Sequence, residues 1–254
     1  MVFLFLYLPI VILIIFSFNS SKEQMNFAGF TFYWYKILFS DKEILGSVLN
    51  TLIVAVVSSS IATILGTFAI IGVQNLKKIP KKILINIANI PLINPEVITG
   101  VSLMLLFVFI NQNFKILGQG LFTLILSHTT FCIPYVILSI APKISELNPN
   151  VYSAALDLGA SPAYSFLKVI LKEILPGIIT GFILAFTVSI DDFVISYFTG
   201  GSVQTLSVAI YSMSRKVVSP EINALSSVLF FLVFILLIII NLRENKKVFK
   251  TGEI

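Results

Sequence analysis

Long apolar runs alternate with shorter polar segments along the whole chain. Six apolar runs lie near residues 2–18, 47–73, 83–110, 121–141, 176–198 and 222–241. A helix needs about 20 apolar residues to cross about 30 Å of hydrocarbon, and most of the runs reach that length. The first run is short, but no basic residue precedes it and no small-residue cleavage site follows it, so we expect a retained span. The pattern predicts an all-α, polytopic membrane bundle with six transmembrane helices.

Composition supports a membrane protein and excludes several other classes. Of the 254 residues, 57% are apolar and 11% are charged, whereas soluble domains have about 25% charged residues. A soluble globule needs more surface charge than this to stay dispersed, which excludes a soluble enzyme, a disordered protein and a nucleic-acid-binding domain. Cys132 is the only cysteine, so neither an intrachain disulfide nor a cysteine-based zinc site is possible, and no metal site is predicted.

Basic residues predict the orientation of the spans. The segments after the second and fourth runs and the C-terminal tail hold the larger share of the 17 Lys and Arg residues. Because such residues collect on the cytoplasmic side, both termini are predicted to lie inside. The loops near 19–46, 111–120 and 199–221 then face outward. The net charge of +5 is explained in the same way, without a nucleic-acid partner.

One face of the second run carries small residues. Ala55, Ser59, Ala62 and Gly66 follow one another at intervals of three and four residues. Small side chains on one stripe let helix backbones approach closely in lipid, where the hydrophobic effect cannot drive association. The stripe therefore predicts packing within the bundle.

Residues 142–175 are too polar to span the membrane and too long for a tight turn. A short helix is predicted over 150–158. It ends at Gly159, because glycine readily adopts the left-handed conformation that closes a helix. Ser161 is then the N-cap of a second helix, and Pro162 is its first residue.

The second of these helices is amphipathic. Its apolar face carries Ala163, Phe166, Leu167, Ile170, Leu171 and Ile174, and its polar face carries Ser165, Lys168 and Lys172. This fits a helix at the inner membrane interface that runs into the fifth span at Pro176. The first helix has a small apolar surface of Ala154, Ala155 and Leu158, which suits a groove on another protein. The alternative is a cytoplasmic hairpin that packs on itself.

At these residues the chain resembles a known family. Ser153-Ala154-Ala155-x-x-x-Gly159, followed by an apolar run that ends at Leu175-Pro176, resembles the EAA loop of ABC-importer permeases. Further stretches are similar to the spermidine/putrescine branch of that family, and these are 17–19, 34–35, 127–134, 157–161, 189–192, 210–213 and 219–225. The resemblance covers almost the whole chain. It departs from the family at two positions, where Ser153 replaces the usual Glu and Lys172 the usual Pro.

The resemblance implies a single permease domain over 1–254, with a type I core at about 46–241 and a cytoplasmic coupling loop at about 142–175. In that family the coupling helix docks on a separate ATP-hydrolysing subunit, which implies the contact residues Ser153, Ala154, Ala155, Asp157 and Gly159. The implied partners are a second similar permease, a cytoplasmic ATPase dimer and an extracytoplasmic polyamine-binding protein. The implied location is the inner membrane of a bacterium, with no cofactor and no nucleic acid.

Three carboxylates lie inside apolar runs: Glu96 in the third, and Asp191 and Asp192 in the fifth. An ionised side chain near the bilayer centre costs about 2.5–3.5 kcal/mol even on mild insertion scales. No Lys or Arg lies within the same spans, so a polycationic substrate is the expected counter-charge. Adjacent residues on one helix point about 100° apart, so the two aspartates cannot both face one point. At least one is predicted to line the path, while the other packs against a partner helix. The alternatives are a basic residue of a partner subunit or a protonated acid.

The predicted substrate-path residues are Asp191, Asp192, Glu96, Ser189, Trp34 and Tyr211. Glu96 follows Asn94-Pro95, where a helix interruption would expose it to a water-filled cavity. Trp34 is alternatively an anchor at the membrane interface. His128, the only histidine, is predicted to be a hydrogen-bonded residue of helix packing.

No phosphate-binding loop, His-Glu-x-x-His motif or nucleophile elbow occurs in the sequence, so no catalytic residue is predicted and the energy comes from elsewhere. The leading hypothesis is the permease subunit of an ATP-driven polyamine importer, with spermidine and putrescine as equal candidates. One alternative is the same machine with another small cationic or metal substrate. A gradient-driven carrier is the other, and it has no need of the 142–175 loop.

Overall fold

All regular structure in the described part of the chain is helical. The computed structural model describes residues 2–21, 26–74, 76–116, 118–148, 150–216, 220–231, 234–235 and 238. The helices are α1 (Val2–Phe16), α2 (Tyr33–Leu38), α3 (Lys42–Gln74), α4 (Lys78–Ile93), α5 (Glu96–Phe114), α6 (Leu121–Glu146), α7 (Asn150–Asp157), α8 (Pro162–Tyr164), a π-helical segment (Ser165–Ile170), α9 (Leu171–Asp191), α10 (Val194–Thr199) and α11 (Leu206–Lys216). Residues 220–231 are helical as well. The predicted all-α class is confirmed.

Several of these helices are long and apolar enough to cross a membrane. Within the described residues they are Lys42–Val73, Glu96–Phe114, Leu121–Glu146 and Pro162–Asp191, and Phe5–Phe16 is a shorter apolar helix. The last predicted span is described only in part, and residues 239–241, Ser219 and the basic C-terminal tail lie outside the described residues. The polytopic membrane architecture is therefore confirmed. The count of six spans and the single domain stay predictions.

The third apolar run consists of two helices, α4 and α5. They are separated at Asn94 and Pro95, where the sequence predicts an interruption. A residue before proline is driven out of the helical region, and Asn94 is extended, with ψ 140°. Glu96 is consequently the first residue of α5, a position where the helix dipole favours a carboxylate.

The fifth run was predicted to be one helix over 176–198, and this prediction is wrong. α9 ends at Asp191, Asp192 is extended with ψ 123°, and α10 begins at Val194. The predicted continuation of the amphipathic helix into the fifth span is confirmed, because helical structure runs from Pro162 to Asp191. A helix break thus lies directly beside the two aspartates, at the end of a helix that is long and apolar enough to cross a membrane.

Backbone contacts divide the chain into two compact units, Met1–Gly46 with Ala209–Ile254, and Ser47–Val208. Within the second unit, α6 and α9 form an extensive helix pair. α9 approaches α6 closely at Gly181, where a Cβ atom would lie 3.2 Å from the Cα of Val136. Glycine at such a point lets two backbones meet in lipid.

The stripe of small residues predicted on the second run is confirmed as a packing face. Ala55, Ser59, Ala62 and Gly66 are all buried. A Cβ atom on Gly66 would lie 2.8 Å from Cγ1 of Val136. The same valine of α6 therefore contacts glycines of both α3 and α9.

Two glycines of α3 provide a matched test of this packing. We expect Gly66→Ala to destabilise the protein by about 1–3 kcal/mol, because it overpacks a filled contact. Gly72→Ala meets nothing within 4 Å and should stabilise the helix by up to about 1 kcal/mol. Thermal unfolding in detergent measures both. Equal shifts in the two variants would contradict the close approach of α3 and α6.

The 142–175 loop begins with two helices whose ends were predicted correctly. Gly159 has the left-handed φ of +87°, and beyond it the N–H of Ala160 donates to the carbonyl of Ala155 at 3.1 Å. This geometry closes α7. The hydroxyl of Ser161 accepts the N–H of Tyr164 at 3.3 Å and caps α8.

The prediction that Ser165 lies on an exposed polar face is wrong, since this residue is fully buried. Ser165 opens the π-helical segment, which packs against α7. A π turn contains more residues than an α turn. The residues before the π turn therefore point to a different side of the helix from the one expected for a regular α-helix with 3.6 residues per turn.

Candidate functional site

The break between α9 and α10 is stabilised by the side chain of Asp192. Its carboxylate accepts the backbone N–H of Ser196 at 2.8 Å and that of Ile195 at 3.3 Å. A carboxylate in this position satisfies amide donors that the start of a helix leaves free. Asp192 is only 8% exposed, so this acid is enclosed by the protein around it.

His128 of α6 connects the two sides of the break. Its Nδ1 lies 2.7 Å from Oγ of Ser189, before the break, and its Nε2 lies 3.0 Å from Oγ of Ser196, after it. The same Nε2 is 3.5 Å from Oδ2 of Asp192. His128 is 1% exposed, and the prediction of a hydrogen-bonded packing residue is confirmed.

The polar cluster extends from α6 to α3. Oγ of Ser58 lies 3.2 Å from Oγ of Ser189, and Ser58 also donates to the carbonyl of Val54 at 2.5 Å. Both serines are buried. Four helices, α3, α6, α9 and α10, thus contribute to one cluster of mutually bonded polar groups, which we call the break cluster (Ser58, His128, Ser189, Asp192 and Ser196).

The break cluster contains Ser, His and Asp side chains, the residue types of a hydrolase triad. These side chains are buried, however, which indicates a structural role. A triad needs an open position beside its nucleophile for the substrate carbonyl. Ser189 and His128 are both closed off from the surface, and the carboxylate of Asp192 is bonded to the backbone of α10. The arrangement can fix the direction of two helices, and it offers no place for a reacting group.

The two adjacent aspartates have opposite environments. Asp191 ends α9 and is exposed, whereas Asp192 is buried. Within the described residues, the carboxylate of Asp191 forms no hydrogen bond or ion pair, so it is available to a cation. The sequence alone does not distinguish these two acids. The helix break gives them different exposures.

Glu96 lies near the same region on a different helix. Its side chain is exposed at the start of α5. One turn further, α5 packs against α10, and a Cβ atom on Gly100 would lie 3.5 Å from the carbonyl oxygen of Val194. Glu96 lies four residues before Gly100 in α5, and Asp191 lies three residues before Val194, across the break. The two exposed carboxylates therefore belong to different helices, α5 and α9.

The two remaining path residues belong to the other compact unit. Trp34 is 4% exposed, and its indole N–H donates to the carbonyl of Asn19 at 2.7 Å. The ring of Tyr211 lies 5.5 Å from Cζ of Arg215. A substrate contact for either residue stays a prediction.

Sequence reasoning missed Ser196 and Ser58, which have no motif of their own. A signal for the cap of α10 was present, since Asp192 stands three and four residues before the amides that it accepts. That spacing is typical of a helix N-terminus. It was obscured because the apolar run continues through the break.

A second surface lies on the 142–175 loop. None of the residues of α7 is buried, and Ser153, Ala154 and Asp157 are exposed. Leu158, just after the helix, is 89% exposed. An open groove of about 550 Å³ adjoins it, lined by Ala155, Leu158, Gly159, Ala160, Ser161 and Tyr164. A large apolar side chain held out of the fold in this way is typical of an interaction site.

A family model described as the binding-protein-dependent transport system inner membrane component matches residues 62–243. The spermidine/putrescine transport system permease protein PotC of Escherichia coli (strain K12) is 33% identical over 255 residues, which cover 100% of this chain and 95% of that protein. The putrescine transport system permease protein PotI of the same strain is 39% identical over 230 residues, which cover 89% of this chain and 82% of that protein.

Solved structures share the fold at lower identity. A bacterial ABC transporter involved in the import of the acidic polysaccharide alginate matches with a TM-score of 0.70 and 16% identity, covering 96% of this chain and 91% of that chain. An amino acid ABC transporter with histidines matches with a TM-score of 0.60 and 18% identity, covering 84% of this chain and 98% of that chain.

Proposed function

Because the chain belongs to the family of binding-protein-dependent transport system inner membrane components, we propose that it is the permease subunit of an ATP-driven polyamine importer. The observation that carries the proposal is the exposed carboxylate of Asp191 at a break in a membrane-spanning helix. The two Escherichia coli relatives, whose names state spermidine and putrescine or putrescine alone, support the choice of substrate.

Asp191 and Glu96 are the acids that meet the substrate along the path. Each ammonium group of a polyamine loses hydration as it enters a membrane, and carboxylate oxygens replace part of that water. The site must also release the cation, so two weak and separate contacts serve better than one closed cage. Asp192 and Ser189 do not contact the substrate, because both are buried in the break cluster. They hold the helices beside the path in position.

The exposed surface of α7 and Leu158 contacts a cytoplasmic ATPase. Ser153, Ala154, Ala155, Asp157 and Gly159 form or adjoin the helix that makes this contact. Closure of the ATPase dimer moves this helix, and the movement opens the path towards a polyamine-binding protein outside the cell. Ser153 supplies a hydroxyl where the family has a carboxylate, so the polar part of the contact is weaker.

Membership of the family supports the remaining features of the transporter. A second, similar permease completes the path, both termini lie in the cytoplasm, and the permease domain takes up the whole chain. The protein itself is not an enzyme, since ATP is hydrolysed by the partner. The two compact units are parts of this one domain.

Uptake of labelled spermidine tests the proposal. Cells that lack their own polyamine importers receive the partner subunits with and without this chain, and unlabelled putrescine serves as competitor. We expect uptake only when this chain and a hydrolysis-competent ATPase are both present. Uptake that persists with an inactive ATPase would indicate a gradient-driven carrier. An assembled complex that transports other small cations, but neither polyamine, would overturn the assignment of polyamines as the substrate.

A further inference from the structure

We propose that His128 is a positioning residue, which fixes the helix break and thereby holds the Asp191 carboxylate where a substrate can reach it. The inference rests on the proposed transport function, because it assigns His128 a role in that path. His128 itself has no access to a substrate, since it is 1% exposed. It acts through the backbone on either side of the break.

The first argument is the placement of its two bonds. One ring nitrogen bonds Ser189, two residues before Asp191, and the other bonds Ser196, in the first turns of α10. A bridge across a break sets the angle between the two helices. Because Asp191 has no hydrogen-bond or ion-pair partner within the described chain, the backbone at this point determines where its carboxylate lies.

The second argument is that one position of the proton on the His128 ring is compatible with all of its hydrogen bonds. An ionised carboxylate only accepts hydrogen bonds. A proton on Nε2 can therefore be shared between Oγ of Ser196 and Oδ2 of Asp192, which lies 3.5 Å away. Nδ1 is then free to accept the hydroxyl proton of Ser189, and a neutral imidazole satisfies both sides of the break.

The third argument is burial. His128, Ser189 and Ser196 are enclosed, so water cannot replace a lost bond. Removal of the imidazole takes one bond from Ser189 on α9 and one from Ser196 on α10. The two helices then relax towards whatever arrangement restores a bond, and Asp191 moves with them.

A labelling experiment measures the position of residue 191 directly. Asp191→Cys is combined with native His128, with His128→Gln or with His128→Leu, in the assembled complex, and its reaction rate with a small ammonium-bearing thiosulfonate is followed. The only natural cysteine of this chain, Cys132, is buried, so this chain adds little background. Glu173→Cys, on exposed surface near the start of α9, controls for general access of the reagent.

We expect His128→Leu to slow labelling at position 191 by at least about ten-fold, with no change at position 173. His128→Gln should restore most of the rate, because its amide both donates and accepts. An unchanged rate at position 191 in the leucine variant would overturn the positioning role. If His128→Leu does not assemble, Ser196→Ala, which removes the hydroxyl that His128 bonds on α10, takes its place with the same criterion.

Transport is measured in parallel on complexes that keep Asp191. With His128→Leu, spermidine uptake should fall at least ten-fold while ATP hydrolysis stimulated by the binding protein stays within about two-fold. A merely structural role would lower both together and would overturn the inference. Altered labelling with normal uptake would leave the positioning intact and refute Asp191 as a path residue, so the two proposals fail separately.

Discussion

Asp191→Asn abolishes polyamine uptake in a complex that still assembles. The substitution keeps the size of the side chain and removes the charge that we propose meets the ammonium group. Loss of one partner from a desolvated charge pair costs about 2–5 kcal/mol, which corresponds to a loss of about 30-fold or more. Uptake of labelled spermidine, normalised to the amount of complex in the membrane, measures the effect.

Two acids serve as controls for Asp191→Asn. Glu173→Gln makes the same charge change on exposed surface near the start of α9, and it should leave uptake unchanged. Asp192→Asn should retain more uptake than Asp191→Asn, because Asp192 is buried and asparagine keeps an acceptor oxygen for one of the two amides. Wild-type uptake in the Asp191→Asn complex would remove this residue from the path. Equal loss in both aspartate variants would contradict their separate roles.

Leu158→Asp should detach the ATPase from the permease. The side chain is 89% exposed in this chain, and burying a leucine in an interface contributes about 1.5–3 kcal/mol. The aspartate removes that contribution and also requires a charge to be desolvated. We expect co-purification of the ATPase to fall at least about ten-fold, since each 1.4 kcal/mol is a factor of ten, and uptake to fall with it.

Asn150→Asp is the matched control for this surface. It adds the same charge to exposed α7 at its opposite end, where a carboxylate is favoured by the helix dipole. The ATPase should co-purify with this variant in normal amount. Normal co-purification with Leu158→Asp as well would mean that the ATPase docks elsewhere.

Local signals in the sequence account for much of the fold. The apolar runs predict most of the long helices, and the interruption at Asn94-Pro95 follows from proline sterics. Gly159 and Ser161 identify the end of one helix and the start of the next. Each of these features depends on residues within a few positions of one another, so a single sequence contains the information.

The break at Asp192 could not be predicted in the same way. Its apolar surroundings continue without change, and its stabilising partner is distant along the chain. Ser165 was placed wrongly for a related reason, because the π turn that buries it occurs where the segment packs against α7. The acids of the site were therefore identified from sequence, while the difference between Asp191 and Asp192 depends on tertiary contacts.

The bonds of His128 also have a consequence for biosynthesis. Its partners, Ser189 and Ser196, follow it by 61 and 68 residues in the chain. A ribosome adds about 5–20 residues per second, so the imidazole waits about 3–14 s for its partners to be made. During that interval α6 contains a polar group with no counterpart. The bonds that hold the helix break can therefore form only after α9 and α10 have been made and have joined α6, late in the synthesis of the bundle.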